Sequence, residues 1–148
     1  MKKFATICLA GTMLFGCSNQ FSQPENSSVV MVNNVKIALN SDLWINNMPS
    51  IGSSSEKVLH GSLHLNAKHV LPEGLKANRL VIQQGDKRWS LSEEQLELRS
   101  NNENQWDVVF AQPLDVNDSA SATVSLQVSE NGDAQWLVEK EVQIEAVY

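Results

Sequence analysis

The chain has little cysteine, and both residues, Cys8 and Cys17, lie near its start. Beyond residue 17 there is no sulfur to form a disulfide, to hold zinc or an iron–sulfur cluster through thiolate, or to act as a thiol nucleophile. Stability there must come from packing. Positive charge is also scarce: eleven Lys and Arg stand against seventeen Asp and Glu, for a net charge of −6. No basic run, and no strip of basic and aromatic residues, offsets that balance. An acidic chain of this kind is repelled by nucleic acid and by anionic lipid surfaces, which makes nucleic acid an unsuitable partner. No apolar run reaches the roughly 20 residues needed to span the hydrocarbon of a membrane. The chain also lacks a Gly-x-Ser-x-Gly elbow, a His-Glu-x-x-His pair and a Gly-rich phosphate loop. No window beyond the first twenty residues carries a sustained 3.6-residue period.

The N-terminus reads as a processing signal. Lys2 and Lys3 give a positive start, Phe4 to Phe15 form a short apolar run, and Leu14-Phe15-Gly16-Cys17 closes it. These are the three parts of a secretory signal peptide. The closing tetrapeptide resembles the lipobox of bacterial lipoproteins: Leu14 fills the aliphatic position, Gly16 the small one, and Cys17 the thiol that is lipidated and becomes the mature N-terminus. Phe15 departs from the pattern, because a smaller residue is usual there. The resemblance implies cleavage before Cys17, so residues 1–16 leave as the signal peptide. Two or more acyl chains on Cys17 would then anchor the protein stably. Ser18, in the place where Asp commonly retains lipoproteins at the inner membrane, implies the outer membrane, facing the periplasm. Loss of Lys2 and Lys3 takes the net charge from −6 to −8.

Residues 17–28 are polar apart from Phe21 and read as a lipidated flexible tether. From Val29 onward the hydrophobic period is two. Val35, Ile37 and Leu39 alternate with Lys36 and Ala38. The same pattern covers Leu59–Leu65, Trp106–Phe110, Ala122–Val128 and Val142–Ala146. Alternation of this sort marks half-buried antiparallel strands. About seven to nine strands at turn spacings near 8–12 residues predict an all-β, antiparallel immunoglobulin-like β-sandwich over residues 29–148. Ser92-Glu93-Glu94-Gln95 has the pattern of a cap on one helical turn.

Two hairpins have a readable register. A two-residue Gly85-Asp86 turn places Ile82 opposite Trp89 and Leu80 opposite Leu91. Asn131-Gly132 marks a second turn. There a three-residue loop pairs Ser129 with Asp133 and sets Leu126 opposite Trp136, whereas a two-residue turn would face Val124 with Glu139. The bulged loop keeps apolar residues together and is the expected one. Pro72-Glu73-Gly74 predicts a further turn, and Ser100, Asn101, Asn102 and Asn104 a polar loop.

His60, His64 and His69 invite a metal reading. On a strand, His60 and His64 share a face about 13 Å apart, whereas zinc needs its nitrogens about 2.1 Å from one point. Solvated strand histidines are the plainer reading, and no metal or cofactor is expected. Glu139, Glu141 and Glu145 form an acidic stripe. Calcium uses such carboxylates, but like charge that blunts an edge strand explains them as well. No catalytic constellation emerges, so a non-enzymatic protein is expected.

Of the four tryptophans, Trp89, Trp106 and Trp136 fall on apolar strand faces and read as core. Trp44 breaks the alternation, because Leu43, Trp44 and Ile45 are all large. The segment Trp44, Met48, Pro49 and Ile51 is the candidate partner contact, since exposed apolar patches mark interaction sites. The alternative is that Trp44 plugs one end of the sandwich. Leu43-Trp44-Ile45-Asn46-Asn47-Met48-Pro49, the Gly85-to-Trp89 hairpin and the terminal Val142-Gln143-Ile144-Glu145-Ala146-Val147-Tyr148 resemble a family of small bacterial secreted proteins and lipoproteins. The resemblance implies a compact β domain and supplies no activity. The expected function is a membrane-anchored binding or accessory module of the cell envelope with an envelope protein as partner. The alternatives are a periplasmic chaperone or inhibitor of another secreted protein, or a small metal- or ligand-carrying lipoprotein.

Overall fold

The computed structural model describes residues 28–47 and 57–147. Cys17, Met48, Pro49 and Ile51 lie outside the described residues. The strands are β1 (Val29–Val32), β2 (Val35–Asn46), β3 (Leu59–Ala67), β4 (Lys76–Gln84), β5 (Lys87–Ser92), β6 (Glu97–Asn102), β7 (Gln105–Gln112), β8 (Ala122–Glu130), β9 (Asp133–Val142) and β10 (Ile144–Val147). One sheet runs β1-β2-β3-β7-β6, with β10 also on β2; the other runs β5-β4-β8-β9. The order β2-β3-β7-β6 against β5-β4-β8-β9 is the A-B-E-D and C′-C-F-G order of immunoglobulin domains. The expected all-β sandwich is therefore the architecture found. The ten strands among the described residues exceed the expected count because β1 and β10, four residues each, both add to the edge of β2. The ladder between β10 and β2 is parallel, unlike the others.

Alternation builds the core as the period of two requires. β2 turns Ile37, Leu39, Leu43 and Ile45 inward, β3 turns Leu59, Leu63 and Leu65, and the second sheet answers with Leu80, Ile82, Val124, Leu126 and Leu137. Each such burial stabilises by about 1.5–3 kcal/mol. Gly61 of β3 lies opposite Phe110 of β7. A Cβ at position 61 would collide with the Phe110 ring, so only glycine lets that ring lie across β3.

Turn chemistry sets the registers. Gly85 adopts φ +54, and the β4–β5 hairpin has the register read from sequence: Ile82 faces Trp89 and Leu80 faces Leu91. Asn33 and Asn34 both take left-handed φ values, 48 and 63, which suits the two-residue turn joining β1 to β2. Asn131 (φ 51) and Gly132 (φ 82) do the same between β8 and β9. This overturns the three-residue loop expected there. Glu130 pairs with Asp133, Leu126 faces Leu137, and Val124 faces Glu139. Asn tolerates the left-handed region well enough to make the tight turn, and a bulge between Ala122 and Val124 then corrects the register downstream. Trp136, opposite Gln127, consequently sits on the outer face, while Trp89 and Trp106 pack against the core.

Smaller features follow the same logic. The Ser92 amide and hydroxyl both donate to Gln95 Oε1 (3.0 and 3.3 Å), closing one 3₁₀ turn at Glu93–Gln95. The Leu75 amide donates to the Pro72 carbonyl, giving the expected turn. Ser100 to Asn102 belong to β6 rather than to a loop. Gln84, 7 % exposed, donates to the carbonyls of Asn117 (2.7 Å) and Ala120 (2.9 Å) and accepts from the Asn117 amide (2.8 Å). It thereby holds the connection from β7 to β8, which plugs Val116 into the core.

Candidate functional site

β2 is longer than the strands that flank its outer edge, and this creates an opening. β1 pairs with Val35–Ala38 and β10 with Leu43–Asn46. The Leu39 amide donates to the Ser28 carbonyl (2.7 Å). Among the described residues, no ladder covers 40–42 on this side. β9, the edge of the other sheet, lies against both β1 and β2. Glu141, held at φ +57, lies at the bulge near the end of β9; after Val142 the chain passes Gln143 and joins β2 as β10. The result is a groove of about 460 Å³ whose lining includes Ser41, Asp42, Trp44, Glu139, Glu141 and Glu145.

The chemistry of the groove follows from register. Glu139 lies opposite the buried Val124, on the core-facing side of β9, and its Oε2 is buried without a hydrogen-bond partner. Ser41 points inward among the core positions of β2 and is 7 % exposed, and its Oγ is also unpartnered. The third such atom among the described residues, Glu130 Oε2, is not on the groove lining. Buried polar atoms without partners carry a desolvation cost. Two of them in one acidic groove mark a place that a donor would stabilise. The expected stripe of Glu139, Glu141 and Glu145 is split between two strands of different sheets. Among the described residues no three His, Cys, Asp or Glu converge to hold a metal ion.

The outer face of the first sheet carries the histidines. Trp44 and His60, cross-strand neighbours on β2 and β3, stack with ring centroids 5.6 Å apart and planes at 9°. Trp44 is half-buried on this face and is not part of the core between the sheets. It also borders the groove, next to Glu145 of β10. His64 bridges two carboxylates, with Nδ1 2.7 Å from Asp107 Oδ1 and Nε2 3.0 Å from Asp42 Oδ2. Burial pulls its pKa down, but hydrogen bonds to Asp107 and Asp42 and their charges outweigh this and leave it raised. Asn101 donates to the other oxygen of Asp107. Arg99 is engaged with Glu97 at 3.0 and 3.1 Å. Because Asp42 holds the second ring nitrogen, His64 has no free nitrogen for taking a proton from a nucleophile. His69 is exposed at a bend after β3.

Sequence reading singled out Trp44 and the three glutamates, and the structure brings all four to one groove. It missed Ser41 and Asp42, which looked like ordinary alternating positions of β2. It also missed the link from His64 to Asp42 and Asp107, which depends on how β2, β3 and β7 are aligned. Compared with protein-family models, curated proteins and solved structures, the chain matches none.

Proposed function

We propose that this chain is a bacterial lipoprotein, held at the outer membrane through lipid on Cys17 and facing the periplasm, that acts as a non-enzymatic binding or accessory module of the cell envelope. The order Leu14-Phe15-Gly16-Cys17 after a positive, apolar start supports the anchor, and the polar residues 18–28 supply a tether. The observation that carries the binding role is the groove at the broken edge of β2, where Ser41 Oγ and Glu139 Oε2 are buried without partners. The occupied ring nitrogens of His64 argue for structure rather than proton transfer on the neighbouring face.

Two measurements in cells test this. Labelling with radioactive fatty acid should mark the wild type and be lost in Cys17→Ser; label that persists in the variant refutes the anchor. A photocrosslinking residue at position 44 should capture a specific envelope protein, while one at the exposed position 88 of β5 should not. Equal, nonspecific capture from both positions refutes the binding role.

A further inference from the structure

We propose that the groove between β2, β9 and β10 takes the guanidinium of an arginine presented on an extended segment of a partner protein. This rests on the reading of the domain as a binding module and deepens it by naming the chemistry of the partner.

The lining asks for donors. Glu139 Oε2 and Ser41 Oγ are buried and unpartnered, and Glu141 and Glu145 add carboxylates along the same groove, while Asp42 on its rim is already engaged by His64. A ligand that supplies hydrogen-bond donors and positive charge suits this lining. A metal ion needs ligands converging on one point, and no three acidic or histidine side chains among the described residues do so. The carboxylates are instead spread along the lining. Guanidinium matches a spread set, because its five N–H donors fan out in a plane, whereas an ammonium is a compact point charge. Trp44, with one ring face stacked on His60, also borders the groove, and guanidinium packs against aromatic surfaces of this kind. Two further observations favour a polypeptide over a free small cation. The groove, at about 460 Å³, is larger than one side chain needs. Its β2 wall is also the stretch at 40–42 that no strand pairs on this side among the described residues, and backbone in that state accepts an extended segment as a neighbour.

The test uses the full-length protein purified in detergent and calorimetric titration with the peptide acetyl-Ser-Val-Arg-Val-Ser-amide. The comparison ligands are the same peptide with citrulline, its neutral isostere, in place of arginine, together with free arginine, spermidine and calcium chloride. The arginine peptide should bind at least about tenfold more tightly than the citrulline peptide and than any of the three free cations. Glu139→Gln should weaken the arginine peptide by about tenfold or more, while Glu73→Gln, a change at an exposed turn, should leave it unchanged. Melting temperatures taken alongside confirm that both variants are folded. Should Glu139→Gln unfold the protein, Glu145→Gln on the β10 side of the groove carries the same test with a smaller expected loss. Equal binding of the arginine and citrulline peptides overturns the proposal, as does tighter binding of calcium. Spermidine or free arginine binding as well as the peptide overturns its polypeptide half. If the peptide fails while position 44 still crosslinks a specific protein in cells, the binding role stands and the arginine assignment falls. If both fail, the two fall together.

Discussion

Replacing Gln84 with Leu removes a strut without changing the volume of the core by much. Gln84 makes three hydrogen bonds to the connection between β7 and β8. The Asn117 carbonyl keeps a second partner, the Ala120 amide at 3.3 Å. The Asn117 amide and the Ala120 carbonyl have no other bond in the connection, so Gln84→Leu orphans two groups. Each costs about 1–3 kcal/mol if it stays dry. Because the connection is partly exposed, water will reach at least one of them, and a loss of about 2–3 kcal/mol is expected. For a domain of this size that lowers the melting temperature by roughly 6–12 °C. Gln84→Glu should be worse at neutral pH, because a carboxylate then faces two carbonyl oxygens, and should recover in part on acidification as the carboxyl becomes a donor. Gln83→Leu, on the opposite face, removes only one bond of 3.4 Å and should stay within about 0.5 kcal/mol. Urea unfolding followed by circular dichroism gives the free energies, and hydrogen exchange at the Asn117 amide reports the loop directly. A Gln84→Leu variant as stable as the wild type, with Asn117 still protected, would refute the reasoning.

Trp89→Ala should cost about 3 kcal/mol as a truncation against the core, and Arg88→Ala less than about 0.5; equal small losses in urea unfolding would count against the register of the hairpin. His64 has a raised pKa, so its charged form is favoured by folding. Its contribution is complete below about pH 6.5 and is lost as pH rises through the higher folded value; melting temperature against pH should therefore fall more across that window in the wild type than in His64→Asn, and parallel curves would sink the claim. Glu141 sits at φ +57, so Glu141→Gly should gain about 1 kcal/mol from relieved backbone strain while removing one groove carboxylate; a loss of stability on thermal unfolding would contradict that.

Much of this fold was legible where local chemistry and face pattern agree. Gly85-Asp86 permits a two-residue turn, and Ile82 with Trp89 and Leu80 with Leu91 leave only one register that buries both pairs. At Asn131-Gly132 the two guides conflict. The face pattern favours a longer loop that keeps Val124 away from Glu139, and the turn residues favour the tight one. The turn prevails, because the bulge between Ala122 and Val124 repairs the register and the broken edge of β2 gives Glu139 somewhere to lie. That edge could not be read from the sequence. It depends on β10 crossing between sheets to pair in parallel with a strand about a hundred residues earlier, and hydrophobic period carries no information about pairing at that distance. The same holds for His64. Its spacing from His60 argued against a shared metal, but its partners Asp42 and Asp107 lie across two ladders.

Gly61 and Phe110 are two positions that amount to one choice. The ring occupies the space where any side chain at position 61 would begin, so the allowed residues at each depend on what stands at the other. Evolutionary drift through this part of the first sheet cannot pass by single steps from glycine to a larger residue while Phe110 remains. It must first shrink the aromatic and accept a void between the sheets, then fill that void from β3. Among diverged copies of this domain, glycine at 61 should therefore travel with an aromatic at 110. A larger residue at 61 should appear only beside a smaller one, so that the pair records ancestry more faithfully than either position alone.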